Sequence, residues 1–366
     1  MKEINKKGWD KISLGEVCKN LNLSEREPLS NGIERYIGLE HIETQNLHVK
    51  SWGDVAEGTT FTKKFLKGQV LFGKRRAYLK KAALAKFDGI CSGDILVFEA
   101  NDKILNKKLL PFLVSSDRFF DFAVQTSAGS LSPRTKFQDL AKFEFLLPPK
   151  EQQSKLADLL WSGDTMIEYR KKMGEKLNQV YDCLKFASFF LEPQNKRYKE
   201  MSVGEIAPLQ RGFDLPNGKI IEGEYQVGYS NGFSKSHNDY RVEGPGVFTG
   251  RSGTIGNVFY SNEKYWPHNT TLWVTNFNDN FPKYIYHLYS SLNFENHSAG
   301  TGVPTLNRND IHKIKVRIPP KNIQIQIAEK LDSMASQINA FKKNLEISKQ
   351  IQKQLINQIF GGYLHI

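Results

Sequence analysis

Two stretches of the chain repeat each other without a gap. Residues 127–160 read SAGSLSPRTKFQDLAKFEFLLPPKEQQSKLADLL, and residues 298–331 read SAGTGVPTLNRNDIHKIKVRIPPKNIQIQIAEKL. The identical pairs at this offset of 171 residues include Ser127/Ser298, Ala128/Ala299, Gly129/Gly300, Pro133/Pro304, Asp139/Asp310, Pro148/Pro319, Pro149/Pro320, Lys150/Lys321, Gln153/Gln324 and Ala157/Ala328. A match of this length indicates an internal repeat, which decides how the rest of the sequence is interpreted.

Weaker similarities near the start of each half support the repeat. Residues 13–17, SLGEV, match residues 202–206, SVGEI. Residues 36–39, YIGL, also match residues 226–229, QVGY, although this pair alone is weak. The offset falls from 189 to 171 along the chain, so the middle of the first half is the longer one.

Each half is predicted to be a globular part, which we call a head, followed by a long helix. Short apolar runs separated by glycine, asparagine and proline indicate strands and turns in both heads. The Pro-Pro pair should end the last strand of each head, because proline offers no backbone donor. The predicted strands are 68–73, 95–98, 143–147, 271–274 and 315–318, and the predicted short helices are 107–124 and 281–293.

After each Pro-Pro pair the apolar spacing changes to three and four residues. This spacing runs from Leu156 to Leu191 in the first half and from Ile327 to Ile359 in the second, where Gly361 and Gly362 should end the helix. Heptad spacing over this length predicts two helices packed as a coiled coil. The alternative is two amphipathic helices that each cover only their own head.

The predicted fold class is α/β with α+β heads. Two similar domains are joined by two long antiparallel helices, which form a coiled-coil spacer with pseudo-twofold symmetry. A helix of about 40 residues is about 60 Å long, and the short link after the first helix leaves the second helix only an antiparallel return. The predicted domains are residues 1–149 and 193–320 for the heads, and 150–192 and 321–362 for the helices.

The net charge of +12 favours a polyanionic partner, and its distribution is informative. Residues 1–150 carry a net +7 and residues 193–320 carry +3, whereas the first helix carries −1. We therefore expect two DNA-facing heads. Three scattered cysteines, no apolar leader and no long apolar run predict a cytoplasmic protein without a membrane partner.

Motifs typical of nucleotide hydrolysis, methyl transfer and metal-dependent cleavage are missing or incomplete in the sequence. A phosphate-binding loop of the Gly-x-x-x-x-Gly-Lys-Ser/Thr type does not occur, and both Pro-Pro pairs differ from the Asn-Pro-Pro-Tyr type of amino-methyltransferases. Acidic pairs such as Asp94 and Glu99 lack the lysine that metal nucleases place nearby, and no metal site is predicted. We expect a non-catalytic protein; the alternative is a stand-alone nuclease or modification enzyme.

DNA contacts are predicted for basic and polar side chains in both heads. A basic cluster containing Tyr78 runs from Lys74 to Lys81; the alternative is a solvated charged turn. Arg251 lies between glycines that allow close backbone approach to a ligand, and the polar stretch 230–238 is either a base reader or a surface loop. The predicted DNA-binding residues are Lys74, Arg75, Arg76, Tyr78, Lys80, Lys81, Arg134, Lys136, Asn231, Lys235, Asn238, Arg251, Ser252 and Arg308.

The repeated pattern of Ser-Ala-Gly, Pro-Pro-Lys and long helix resembles the specificity subunit of type I restriction–modification systems. Residues 72–81, FGKRRAYLKK, and 89–98, GICSGDILVF, are similar to a common form of that family's target recognition domain. Residues 249–256, TGRSGTIG, are the counterpart in the second head. The resemblance covers essentially the whole chain.

This resemblance implies two target recognition domains that bind double-stranded DNA at a bipartite, asymmetric site. It also implies two methyltransferase subunits docked on the helices, and restriction subunits joined through the complex. No cofactor is expected in this chain, whereas S-adenosylmethionine and ATP with Mg²⁺ are expected on the partner subunits.

Overall fold

The computed structural model describes residues 4–191, 197–299 and 304–361. The chain forms two compact units, each described separately below. The first unit contains residues 1–171 together with 344–366, and the second contains residues 172–343. The boundary falls inside both long helices, so each unit consists of one head and parts of the two helices.

The head of the first unit is built on two four-stranded sheets. One sheet has the order β2-β9-β6-β7 and is antiparallel; the other has the order β4-β3-β8-β5, with β3 and β8 parallel. The first and last strands, β1 and β10, pair separately. The strands are β1 Asp10–Ser13, β2 Cys18–Leu21, β3 Arg35–Ile37, β4 Gly53–Asp54, β5 Lys63–Phe65, β6 Val70–Gly73, β7 Ala82–Leu84, β8 Gly89–Cys91, β9 Ile95–Ala100 and β10 Glu144–Leu147.

The second head repeats this arrangement with different strands. The order β12-β18-β15-β16 corresponds to the first antiparallel sheet, β14-β13-β17 again contains a parallel pair, and β11 pairs with β21. The strands are β11 Lys199–Ser202, β12 Leu209–Arg211, β13 Tyr225–Tyr229, β14 Gly232–His237, β15 Gly246–Gly250, β16 Val258–Ser261, β17 Tyr265–Pro267, β18 Thr271–Val274, β19 Ser298–Ala299, β20 Thr305–Leu306 and β21 Lys315–Ile318. The predicted mixed fold with two similar heads is confirmed.

The helices are short in the heads and long after each Pro-Pro pair. The two long helices are α5 and α9, and α5 continues into a π-helical turn over residues 187–191. The helices are α1 Leu14–Val17, α2 Leu110–Ser115, α3 Asp117–Gln125, α4 Phe137–Leu140, α5 Lys150–Phe186, α6 Val203–Ile206, α7 Pro282–Tyr289, α8 Arg308–His312 and α9 Lys321–Phe360.

The repeated Ser-x-Gly-Glu sequence forms a capping box in each unit. The Glu16 carboxylate accepts the backbone N–H of Ser13 at 2.8 Å, and Glu205 accepts that of Ser202 at 2.7 Å. Serine and glutamate three residues apart satisfy the first backbone donors of a helix in this way. The similarity of these segments therefore reflects a shared turn between the first strand of each head and its first helix.

The repeated glutamine after each Pro-Pro-Lys is buried, and it ties the head to the long helix. The Gln153 amide accepts the backbone N–H of Asn106 at 2.7 Å and donates to Pro148 and Ile104 carbonyls. Gln324 accepts the N–H of Phe281 at 2.9 Å and donates to the Pro319 carbonyl. Both side chains are almost completely inaccessible, at 1% and 3% exposed.

A second contact between head and helix differs between the units. In the first unit, the Phe112 ring packs against Trp161 with ring centroids 4.9 Å apart. At the corresponding place in the second unit, the buried His287 lies 2.8 Å from the Asp332 carboxylate, which also pairs with Lys283. Burial lowers the pKa of His287, and the Asp332 carboxylate opposes that effect. The same junction is thus apolar in one unit and ionic in the other.

The long helices also pack against each other within each unit. In the first unit, Gln352 of α9 donates to the Leu160 carbonyl of α5 at 2.8 Å, and Arg170 donates to Ser348 at 2.6 Å. In the second unit, a methyl group placed on Gly174 would lie 3.4 Å from the Phe341 ring. Early residues of α5 meet late residues of α9, so the predicted antiparallel pairing is confirmed.

The residues at the helix contact differ in part from the predicted heptad positions. Four residues of the predicted stripe on α5 face outward, namely Leu159, Met166, Met173 and Val180. Ala157 and Leu160 are instead buried in the core of the first head, together with Ile359 and Phe360 of α9. The helix must cover a head as well as its partner helix, so its buried surface is wider than a coiled-coil seam.

Two predicted short helices have different limits in the structure. The segment 107–124 forms α2 and α3, because Ser116 is extended between them and its hydroxyl accepts the N–H of Phe119 at 3.3 Å. The segment 281–293 forms only α7, which ends at Tyr289, and Asn293 beyond it adopts a left-handed conformation with φ of 47°. Both breaks arise from local side-chain or backbone geometry that apolar spacing does not report.

Replacing Gln324 with alanine should destabilise the second unit by about 2–3 kcal/mol, because buried donors and acceptors lose their partners. Gln337→Ala, at an exposed position of the same helix, is the matched control and should change the unfolding free energy by less than about 0.5 kcal/mol. Chemical denaturation of the full chain measures both. Equal effects would contradict the anchoring role of Gln324.

Candidate nucleic-acid interface

The Ser-Ala-Gly loop of the first unit is bonded to the basic segment that follows β6. The Arg76 backbone N–H donates to the Pro133 carbonyl at 2.8 Å, and the Thr135 N–H donates to the Lys74 carbonyl at 3.0 Å. Residues 74–76 and 128–135 thus form one structure at the edge of the sheet, which we call the first loop junction. It joins two predicted site segments that are far apart in sequence.

The second unit contains the same junction. The Gly253 N–H donates to the Pro304 carbonyl at 3.3 Å, and the Leu306 N–H donates to the Arg251 carbonyl at 2.8 Å. Residues 251–253 and 304–306 form this second loop junction. The hydrogen bonds make Lys74 equivalent to Arg251, Arg75 to Ser252 and Arg76 to Gly253.

An aspartate holds two arginines in the first loop junction. The Asp94 carboxylate accepts from Arg134 at 2.8 and 3.3 Å and lies 3.5 Å from the Arg75 guanidinium. The hydrogen bond from Arg134 holds the pKa of Asp94 below its usual range. Arg75 also donates to the Ser132 hydroxyl at 2.5 Å. Both predicted arginines are therefore positioned by the protein itself, on a partly exposed surface.

The remaining residues of the basic cluster divide into two groups. Arg76 and Tyr78 are exposed, and neither side chain has a hydrogen-bond or ion-pair partner within the described ranges. The Lys80 ammonium instead pairs with Asp117 at 2.6 Å, and the Lys81 ammonium donates to the Leu39 carbonyl at 2.6 Å. These two lysines stabilise the head. Within the described ranges, Lys74, Arg76 and Tyr78 are then the cluster members whose side chains have no hydrogen-bond or ion-pair partner.

Arg76 holds an unusual backbone conformation. Its φ is 54°, and the equivalent Gly253 has φ of 88°. A residue with a Cβ atom pays roughly 1 kcal/mol in this left-handed region, where glycine is unstrained. The first unit therefore carries a strained arginine where its own repeat has a glycine, which points to a role for the guanidinium.

In the second loop junction, Arg251 has more freedom than the arginines of the first. Its guanidinium donates only to the Asn269 carbonyl, at 3.4 Å, and it forms no ion pair within the described parts of the chain. Ser252 forms an isolated bridge with Thr305. A charged group with a single weak neutral partner is available to an incoming ligand.

The predicted polar stretch 230–238 is a hairpin rather than a loop. Strands β13 and β14 are joined at Ser230 and Asn231, and the Ser230 carbonyl would lie 3.0 Å from a methyl group on Gly250. Asn231 is therefore adjacent to the second loop junction. Lys235 donates to Asn217 at 2.8 Å further along, and Asn238 is exposed after the strand.

The last two predicted residues lie beside the loop junctions. Lys136 follows the first junction, is exposed and precedes α4. Arg308 follows the second, is exposed and begins α8. Gly300 of the second Ser-Ala-Gly sequence lies outside the described residues.

Three polar residues at the second junction were not predicted. Arg211 pairs with Asp214 at 2.8 Å, and the Asn269 amide also donates to Asp214. Arg211 ends β12 and Asn269 lies just before β18, which is the neighbouring strand. The adjacent ends of paired strands bring these groups together, and only the strand register could have revealed this from the sequence.

A cleft of about 590 Å³ lies elsewhere in the first unit, beside the long helices. Its walls combine lysines with carboxylates, for example Lys80 with Asp117. His48 at its edge lies 2.6 Å from Asp164 of α5. With its charges largely compensated, this cleft is a weaker candidate for a polyanion than the loop junctions.

Within residues 4–191, 197–299 and 304–361, no group of three or more His, Cys, Asp or Glu side chains could hold a metal ion. No helix in these ranges combines the length and apolar character that crossing a membrane requires.

Comparison with known families identifies the class of the chain. The family model for the type I restriction modification DNA specificity domain matches residues 6–179 and matches again over residues 195–353. The chain therefore belongs to this family and contains two copies of its domain. The resemblance drawn from the repeated motifs is confirmed.

Specificity subunits of type I systems are also found among individual relatives. The EcoDI specificity subunit of Escherichia coli is 29% identical over 118 residues, which is 30% of this chain and 26% of that protein. A type I specificity subunit of Mycoplasma pneumoniae is 25% identical over 293 residues, covering 74% of this chain and 76% of the relative. The chain thus spans between a quarter and three quarters of these two relatives.

Solved structures show the same fold over the whole chain. The S subunit of a type I restriction–modification system from M. genitalium has a TM-score of 0.66 at 16% identity, covering 100% of this chain and 99% of that one. The HsdS subunit of Thermoanaerobacter tengcongensis has a TM-score of 0.51 at 18% identity, covering 98% of each chain. At these identities the likeness concerns the fold.

Replacing Arg76 with glycine should affect DNA binding and folding stability differently. We expect weaker DNA binding, because the exposed guanidinium is lost, without loss of folding stability. Arg76→Ala is the matched control: it should bind equally weakly, but it should be about 0.5–1 kcal/mol less stable than Arg76→Gly, because alanine retains the strained Cβ. Denaturation and titration with duplex DNA measure the two effects. Wild-type binding by both variants would exclude Arg76 from the interface.

Proposed function

We propose that this chain is the sequence-specific DNA-binding subunit of a type I restriction–modification complex. Each head would read one half of a bipartite, asymmetric site on double-stranded DNA. The observation that supports this best is the repeated loop junction, whose backbone is the same in both units while its side chains differ. Related readers of two different base sequences need this combination of a common frame and altered side chains.

Within each junction we propose different roles for different side chains. Arg251 in the second head and Arg76 in the first are the proposed base readers, since arginine can bind guanine O6 and N7 with two hydrogen bonds. Asn231 is a proposed adenine contact beside Arg251. The residues proposed to contact the DNA sugar–phosphate backbone are Lys74, Arg75, Tyr78, Arg134, Lys136, Lys235, Asn238, Ser252 and Arg308. Lys80 and Lys81 are proposed to support the first junction through their contacts within the head.

The proposed subunit has no active site of its own. Two methyltransferase subunits with S-adenosylmethionine, and restriction subunits with ATP and Mg²⁺, would perform the chemistry in the cytoplasm. Both long helices carry exposed apolar side chains in the first unit: Leu159 and Met166 of α5 are 52% and 54% exposed, and Ile347 and Ile351 of α9 are 42% and 50% exposed. We propose that an amphipathic helix of a methyltransferase subunit packs against these exposed apolar side chains.

We propose residues 1–149 and 193–320 as the two target recognition domains, and 150–192 and 321–362 as the spacer helices. The helices would set the number of base pairs between the two half-sites. A helix of about 40 residues is about 60 Å long, so the proposed spacer would correspond to at most about 18 base pairs, at about 3.4 Å per base pair.

The test of this function is methylome sequencing of cells that express the chain with its methyltransferase subunit. We expect methylation at a bipartite, asymmetric motif, because the two loop junctions carry different side chains. A continuous palindromic motif would contradict the two-head proposal. Cleavage or methylation of DNA by the purified chain alone, with Mg²⁺ and S-adenosylmethionine, would instead favour the stand-alone enzyme.

Replacing Arg251 with alanine should relax recognition at one half-site only. Loss of a two-hydrogen-bond contact to guanine typically costs about 1–3 kcal/mol of discrimination, or roughly fivefold to 150-fold. The methylated motif of the variant measures this effect. Arg76→Ala is the reciprocal control and should relax the other half-site; relaxation of both halves by either variant would count against independent heads.

A further inference from the structure

A carboxylate lies beside each loop junction, among the groups that would face DNA. In the first head, Asp94 contacts Arg134 at 2.8 Å and Arg75 at 3.5 Å. In the second head, Asp214 contacts Arg211 at 2.8 Å and accepts the Asn269 amide, whose backbone carbonyl is the acceptor for Arg251. We call Asp94 and Asp214 the junction carboxylates.

The two junction carboxylates are not equivalent positions of the repeat. Lys74 donates its backbone N–H to the Asp94 carbonyl at 2.9 Å, and the equivalent Arg251 donates to Thr270 at 2.8 Å, so Thr270 occupies the place of Asp94. Asp214 comes from the segment after β12 instead. Two different segments therefore bring a carboxylate to the same sheet edge, and the loop frame itself does not require either of them.

A carboxylate beside the junction should weaken the binding of a polyanion. Its charge repels the phosphates that the neighbouring arginines attract, and Asp214 is 62% exposed while Asp94 is 20% exposed. A surface that only needed affinity for DNA would lack these charges. Specificity, however, is a difference between affinities, and a repulsive group can increase that difference by weakening the wrong complexes more than the right one.

The contacts show how such discrimination would work. The carboxylate accepts hydrogen bonds from arginine and amide groups and so limits their orientation before DNA arrives. To bind DNA, the arginine must exchange or share this partner. A complex on the right sequence also gains the base contacts of Arg76 or Arg251, whereas a complex held by phosphates alone depends on charge that the carboxylate already supplies.

We propose that Asp94 and Asp214 are specificity-determining positioning residues. They orient Arg75, Arg134, Arg211 and Asn269 around the proposed base readers and disfavour complexes held by phosphates alone. This inference rests on the proposed DNA-binding function and adds a role for acidic residues within it. Each carboxylate acts on its own half of the recognised site.

The test compares Asp94→Asn and Asp214→Asn in the full chain assembled with its methyltransferase subunits. Dissociation constants are measured for a duplex carrying the methylated motif and for an unrelated duplex of equal length. Both measurements use the same salt concentration. We expect each variant to bind the unrelated duplex about three- to tenfold more tightly and the motif no better than wild type. The ratio of the two constants should therefore fall by at least threefold.

The matched controls are Asp102→Asn and Asp279→Asn, which change the net charge equally in the same two heads. The Asp102 carboxylate lies 3.8 Å from the Lys107 ammonium, and the backbone carbonyl of Asp102 accepts a hydrogen bond from Lys150 of α5. The Asp279 carboxylate pairs with Lys321 of α9 at 2.6 Å. These contacts lie outside the loop junctions. Both controls should strengthen binding to the two duplexes by the same small factor and leave their ratio unchanged.

The methylome distinguishes positioning from a general effect of charge. Asp94→Asn should relax bases in one half of the motif, and Asp214→Asn should relax bases in the other. Unchanged ratios and unchanged motifs in both variants would overturn the proposal. If Asp94→Asn unfolds the first head, the exposed Asp214→Asn decides alone. If the wild-type complex does not discriminate between the duplexes, the DNA-recognition function has failed, independently of the junction carboxylates.

Discussion

A buried glutamine at the start of each long helix is the contact on which both units depend. Gln153 and Gln324 satisfy backbone groups of the head and of the preceding Pro-Pro segment at the same time. Since unpaired buried polar groups are costly, the start of the helix and the edge of the head must form together. The glutamine contacts help to fix the orientation of each helix on its head, together with the Phe112–Trp161 and His287–Asp332 contacts and the adjoining apolar cores.

The loop junctions are also fixed by a small number of hydrogen bonds. Two backbone hydrogen bonds join the Ser-Ala-Gly loop to the segment after the central strand in each head, and they leave three side-chain positions open to change. The first head fills these positions with Lys74, Arg75 and Arg76, and the second with Arg251, Ser252 and Gly253. A repeated frame can therefore present different chemistry without altering the fold. The junction carboxylates partly neutralise the positive charge of the arginines beside each junction.

Regular features of the fold were predictable because they depend on local pattern. The strand over residues 271–274 and the one over 315–318 have the predicted limits, and both long helices begin directly after Pro-Pro. The predictions failed where two surfaces compete for one element. Leu159 and Met166 belong to the predicted stripe but face outward, because α5 turns Ala157 and Leu160 toward the head. Heptad spacing shows which residues are apolar, and it does not show which neighbour buries them.

The sequence by itself determined the repeat, the order of head and helix, and the family, because these are properties of residue order and survive in the pattern of glycine, proline and apolar residues. Only the tertiary structure decided which charged groups are free. Lys80 and Arg76 are similar members of one basic run, yet Lys80 is neutralised by Asp117, 37 residues away in the chain, and Arg76 is left exposed. The pairing of charges depends on distances in space, since Coulomb attraction falls with separation and desolvation depends on burial. Asp214 and Asn269 joined the proposed interface for the same reason: neighbouring strand ends bring them together, and the sequence keeps them apart.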